Sequence, residues 1–228
     1  MPSLSLLGPG PIVIPAEFSI LDAMEILLAT FSALFSVVNP FGAMPVFLTL
    51  TQDDNTARRN QQALRACMYM ILILTVFFIA GQAVLDFFGL RIHDLRIAGG
   101  IMIMRAGFDL LNPKAEEGKK ISKDVVAEGV EKEDISFTPL AMPLLSGPGS
   151  IAVVISLFTK SLTIVDMGLT VLAIVLLGFI TYVILFFSPR LMMFMGKAGL
   201  AALSRIMGFI VLSLGVSFIV TALLALFR

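Results

Sequence analysis

Two short segments of this sequence place helix-breaking residues beside small polar ones in otherwise apolar surroundings. The first is Asn39-Pro40-Phe41-Gly42-Ala43, followed by Pro45; the second is Ser146-Gly147-Pro148-Gly149-Ser150, preceded by Pro143. Proline removes a backbone donor and clashes with the preceding turn, and glycine lowers helix propensity. A simple kink needs one proline, so two prolines and a glycine at each site predict an interrupted helix. Non-helical backbone at membrane depth survives only where it is buried in protein or lines a wet cavity. The half-helix after such a break starts with free N–H groups and the positive dipole end, suited to an anion. The half-helix before it ends in free carbonyls, suited to a cation. Two facing breaks therefore suit a small zwitterion, carboxylate on the N–H groups and ammonium on the carbonyls. Gly42 and Gly149 permit close backbone approach, and Asn39, Ser146 and Ser150 add uncharged hydrogen-bonding side chains. The candidate substrate-binding set is thus Asn39, Pro40, Phe41, Gly42, Ala43, Ser146, Gly147, Pro148, Gly149 and Ser150.

Other chemistry is sparse. Arg105 and Asp109 stand four apart inside an apolar block, where they can pair on one helix face. Charge at such depth is costly and usually functional, so both are candidates for gating or coupling. No acid is clearly central to the bilayer, so the coupling ion, H+ or Na+, is not legible. His93 and Cys67 are each the only residue of their type. A disulfide within the chain is excluded, and a metal site or catalytic residue is not expected. There is no G-x-S-x-G elbow and no H-E-x-x-H, which argues against an intramembrane enzyme. No cofactor is implied.

The elements that hold these residues follow from composition. The chain is 58% hydrophobic and 14% charged, with a mean hydropathy of +0.99, too apolar for a water-facing surface. Six apolar blocks, roughly 21–50, 64–86, 95–111, 137–159, 163–187 and 203–227, predict an all-α polytopic protein with six membrane-spanning helices, the first and fourth broken. Its surroundings are a lipid bilayer. A net charge of zero gives no reason to expect a nucleic-acid partner, and the sequence leaves assembly into a homo-oligomer open. With the N-terminus outside, inward loops carry Arg58, Arg59, Arg65, Lys114, Lys119, Lys120, Lys123, Lys132, Arg190, Lys197 and Arg205. Outward segments then carry only Arg91, Arg96, Lys160 and Arg228. The positive-inside rule favours that arrangement, with both termini outside. Residues 1–18 lack the positive start of a signal peptide and read as an extension outside or along the interface. Residues 112–136 form a charged cytoplasmic connector between a first three-helix unit (19–111) and a second (137–228).

The two units resemble each other. At an offset of 107, Asn39 falls on Ser146, Gly42 on Gly149, Phe87 on Phe194 and Gly89 on Gly196; at 109, Arg96 falls on Arg205, Gly99 on Gly208 and Ala106 on Gly215. Three spans per unit is an odd number, so the second unit runs opposite to the first. This is a 3+3 inverted-topology repeat, the plan of many secondary transporters. Gly99 with Ala106, Gly208 with Gly215, and Ser213 with Ser217 supply small-residue faces for helix packing.

The stretch VVNPFGAMPVFLTLT (37–51) resembles the first-helix signature of the MarC family of integral membrane proteins. PLLSGPGSIAVVI (143–155) resembles that family's matching second-half segment, and LRIAGGIMIM (95–104) its third span. The resemblance covers about residues 20–227. It implies a six-helix inner-membrane protein of the broader lysine-exporter-like superfamily, and carries over Asn39, Pro40, Gly42, Ser146, Gly147, Pro148 and Gly149 as motif positions. Family members were named for multiple antibiotic resistance; others are described as transporters of small neutral amino acids such as glycine and alanine. The expectation is therefore a secondary transporter of such zwitterions by alternating access, with substrate at the midplane between the breaks. The alternative is efflux of drugs or another small solute, although the chain has no Trp and only Tyr69 and Tyr182 to build a promiscuous aromatic site.

Overall fold

The computed structural model describes residues 19–112, 134–158 and 163–227. The readings made for residues 1–18 and for most of the 112–136 connector lie outside them. Every regular element among the described residues is helical. In chain order these are α1 (Ile20–Val38), α2 (Pro40–Leu50), α3 (Thr56–Phe88), α4 (Ile92–Leu111), α5 (Ser136–Leu145), α6 (Pro148–Phe158), α7 (Ile164–Phe186) and α8 (Ser188–Leu226).

Their ends follow local chemistry. Ser19 and Asp22 form a capping box at α1, and Thr163 and Asp166 do the same at α7. Asn55 caps α3 through Arg58 N–H, and Gly89, left-handed at φ 66°, ends it. Gly196, at φ 62°, breaks the helical path inside α8 before the long run Ala198–Leu226. The expected pairing of Gly89 with Gly196 thus joins two glycines at positive φ, each preceded by exposed aromatics at Phe87, Phe88 and Phe194.

Among the described residues, four helices are long and apolar enough to cross a bilayer: α1, α3, α7 and Ala198–Leu226. α5 and α6, bent by 65° at their junction, make a fifth if counted as one span. The third block expected from sequence is α4. It is 20 residues long but holds Asp94, Arg96, Arg105 and Asp109, so length and apolarity do not mark it as a span. α2 is a short apolar helix of 11 residues. Outward faces carry large apolar groups such as Phe179, Phe209 and Leu224, while Leu34, Phe47, Phe78, Leu140 and Leu177 fill the centre.

Packing between the helices before residue 112 and those after residue 134 is reciprocal. α3 lies against α5 and α6, and α7 against α1 and α2; α4 touches α6, and α8 touches α2; α3 meets α7, and α4 meets α8. The α4–α8 seam is antiparallel, and at two levels glycine lets backbone approach backbone. A Cβ on Gly107 would stand 2.9 Å from the Gly208 carbonyl, and one on Gly100 would stand 2.8 Å from that of Gly215. Reversed, a Cβ on Gly208 would stand 3.0 Å from the Gly107 carbonyl and one on Gly215 2.8 Å from that of Gly100. The seam therefore uses Gly100 and Gly107 from α4, one residue beyond the expected Gly99 and Ala106. Gly99 instead abuts Ala152 of α6, and Ala106 is exposed. Ser213 and Ser217 are also exposed, and the Ser213 hydroxyl donates to the Phe209 carbonyl of its own helix. The small-residue faces are real, but sequence alone misses which of two adjacent glycines faces the partner.

The start of the second unit is tied to α3 by polar contacts. Arg65 pairs with Asp134 at 3.0 Å, and Gln62 accepts from Ile135 N–H while donating to Asp54. The Ser136 hydroxyl and N–H, with Arg65 adding to them, hold the Asp134 carboxyl below its ordinary value. That contribution to stability is complete above the unfolded carboxylate pKa of about 4 and is lost as pH falls through the lower folded value. Asp134→Asn is expected to flatten the stability-versus-pH curve below about pH 4 in thermal melts of detergent-purified protein. In the same assay Gly107→Val should cost about 1–3 kcal/mol or more by forcing backbones apart. Gly168→Ala should be neutral or slightly stabilising, since nothing lies within 4 Å of the added methyl.

Candidate functional site

Both Pro-bearing segments interrupt regular helix, and each restarts at a proline. α2 opens at Pro40 and α6 at Pro148, each 11 residues long. Proline at the first helical position has no N–H to leave unsatisfied. The two helices are therefore offset by 108, as are the seam glycines, where sequence matching of Gly42 to Gly149 sets 107. At the first break Asn39 turns left-handed, at φ 47°. At the second, α5 is wound loosely, with Leu140 N–H donating to Ile135 O and Ser146 N–H to Ala141 O. Thr138 and Met142 within it are extended, each ahead of a proline.

The breaks differ in what they leave free. At α2, Gly42 N–H donates to Asn39 Oδ1 at 3.2 Å and Ala43 N–H to the Asn39 carbonyl. Pro40 has no N–H, so this helix start is largely self-satisfied, contrary to the expectation of open donors at both breaks. At α6, Ile151 N–H reaches the Gly147 carbonyl, and the Ser150 hydroxyl donates to that same carbonyl. The N–H groups of Gly149 and Ser150 meet no acceptor among the described residues. Ser146 is fully buried, and its hydroxyl meets no partner among the described residues.

Two cavities lie at these breaks. One, of about 250 Å³, is lined by Gly147, Pro148, Gly149 and Ser150 together with Pro143, Ile103, Arg105 and Asp109. The other, of about 460 Å³, is lined by Asn39, Gly42, Ala43 and Pro45 together with Asp109, Leu110 and Ser204. Val37, Ala106, Asp109 and Leu144 line both. Of the candidate residues, Pro40, Phe41 and Ser146 line neither. Pro40 is buried, and Phe41 packs edge-on against Phe35 with centroids 6.1 Å apart. Arg105 and Asp109 come together with the second break, and Asp109 also reaches the first. The shared apolar wall, Val37 and Leu144, carries no sequence signal beyond adjacency to a break.

A family model described as MarC family integral membrane protein matches residues 24–227. The chain belongs to the MarC family. A MarC relative named an inner membrane protein, from Escherichia coli strain SMS-3-5, is 38% identical over 91% of this chain and 98% of its own. The inner membrane protein MarC of Shigella flexneri is 37% identical over the same shares. A membrane protein of Methanocaldococcus jannaschii is 34% identical over 88% of this chain and 97% of its own. No solved structure matches this MarC family chain. Its two breaks and both cavities fall inside the matched region.

Two substitutions separate capping from cavity shape. Asn39→Ala removes the α2 cap and is expected to lower stability by about 1 kcal/mol in a detergent thermal melt. Gly149→Leu drives a side chain into Ile103, whose Cγ1 lies 2.8 Å from the Cβ position, and into Val37 at 3.3 Å. It should fill the smaller cavity, cost about 1–3 kcal/mol and abolish any activity that depends on the cavity.

Proposed function

We propose that the chain is a secondary transporter of small neutral amino acids, glycine- or alanine-like zwitterions, working by alternating access in the inner membrane where its bacterial relatives are named. The observation that carries this reading is that the two helix breaks, one from each unit, line adjoining cavities with a common wall. Isolated breaks in a scaffold would leave backbone groups unsatisfied without return. Converging breaks place those groups where a solute can use them.

The substrate carboxylate faces the unpaired N–H groups of Gly149 and Ser150, with Arg105 adding positive charge to the same cavity. Asp109, in the common wall, balances the ammonium and is the residue through which an ion gradient couples. The scarcity of other polar lining suits a substrate with a small, undemanding side chain. Reciprocal packing supports a 3+3 inverted repeat with six membrane passes, α4 completing the first unit and α8 the second. In that arrangement access alternates by rocking one set of helices against the other around a fixed site.

Reconstituted protein should take up labelled glycine and alanine saturably, and faster under either an imposed proton or a sodium gradient. Absence of saturable uptake under both gradients would sink the proposal. Arg105→Gln should raise the KM for alanine about tenfold or more, the scale of one charged hydrogen bond.

A further inference from the structure

We propose that Val37 and Leu144 form a size filter between the two cavities, so that they set how large a side chain the protein will carry. The proposal deepens the transporter reading above and rests on it.

Four residues line both cavities: Ala106 offers one methyl, Asp109 a carboxylate that a zwitterion can meet favourably, and Val37 and Leu144 branched apolar groups that offer a passing side chain contact alone. The bulk of the common wall is Val37, from α1, and Leu144, from the segment before the second break. Both are half-buried and pack against the main core, so neither swings freely into lipid or water. Val37 is β-branched and stiff about χ1. Its Cγ1 also lies 3.3 Å from where a Cβ on Gly149 would stand, so it is held close to the α6 start. Leu144 stands on irregular backbone, between extended Met142 and the break. The barrier therefore has one fixed jaw and one jaw on a segment with few regular hydrogen bonds. Cavities of about 250 and 460 Å³ on its two sides are each ample for a small amino acid. The limit on size then falls at the barrier rather than in either chamber. A hydrogen or methyl side chain passes between Val37 and Leu144; an isopropyl or isobutyl group meets both.

Competitive uptake of labelled glycine, alanine, valine and leucine into proteoliposomes tests this. Val37→Ala and Leu144→Ala are expected to raise the valine-to-alanine uptake ratio on the order of tenfold, as removal of two or three carbons from a steric barrier should. Leu144→Phe is expected to act in the opposite direction, lowering alanine relative to glycine. Leu172→Ala, at an exposed position on α7, should leave all ratios unchanged. A thermal melt of each detergent-purified variant reports that it is folded, so a folded variant that carries alanine but keeps the original ratios counts against the filter. Intact alanine uptake with an unmoved size limit in Val37→Ala, Leu144→Ala and Leu144→Phe overturns the filter alone. No amino acid uptake by the unmodified protein overturns the transporter reading and the filter with it.

Discussion

A peptide N–H that a proline cannot supply is the constraint from which the rest of this molecule follows. In a continuous helix residue 40 would donate to the Ser36 carbonyl and residue 148 to that of Leu144, and both positions are proline. Lipid offers no substitute donor, so the protein must enclose each discontinuity. It does so by bringing α4 against both. Ile103 covers the second break at Gly149, and Leu110 approaches the first at Gly42. α4 comes this close to α8 because the face it turns to that helix carries Gly100 and Gly107, letting the two press together backbone to backbone. Its outer face still carries exposed Ile101, Met102 and Phe108.

The two breaks are alike in construction and unlike in chemistry. Each begins an 11-residue helix at a proline, yet Asn39 folds back to cap its own helix, whereas the residues around Ser146 and Gly147 do not cap theirs. One fold can thus hold a self-contained break beside one with donors to spare. The fully buried hydroxyl of Ser146, unpartnered among the described residues, belongs to the second. The concentration of Arg105 on the side of that break, with Asp109 between the two, follows the same asymmetry.

Much of this was legible in the sequence, for reasons that differ by feature. The breaks at Asn39–Gly42 and Ser146–Ser150 could be read because proline and glycine act locally. The pairing of Gly89 with Gly196 could be read because a positive φ selects glycine. The register of the seam could not, since Gly99 and Gly100 are adjacent and only the partner helix distinguishes them. Alignment on Gly42 and Gly149 misplaced the helix starts by one residue, because it is Pro40 and Pro148 that fix them. The self-capping of α2 by Asn39 depended on a side-chain rotamer, which no spacing encodes. Val37 and Leu144 were invisible among many similar apolar residues, because lining a cavity is a property of the assembled fold. Asp109 stood out as a charge, but its place between both breaks required three elements to converge.

The glycine seam acts like the teeth of a rack. Turning α4 or α8 about its own axis by one residue would drive Phe108 or Phe209 into a slot that holds only a hydrogen atom, so the seam fixes the rotation of both helices. Length changes in the loops on either side can be absorbed, but one residue added or lost within either helix would disengage every tooth beyond it.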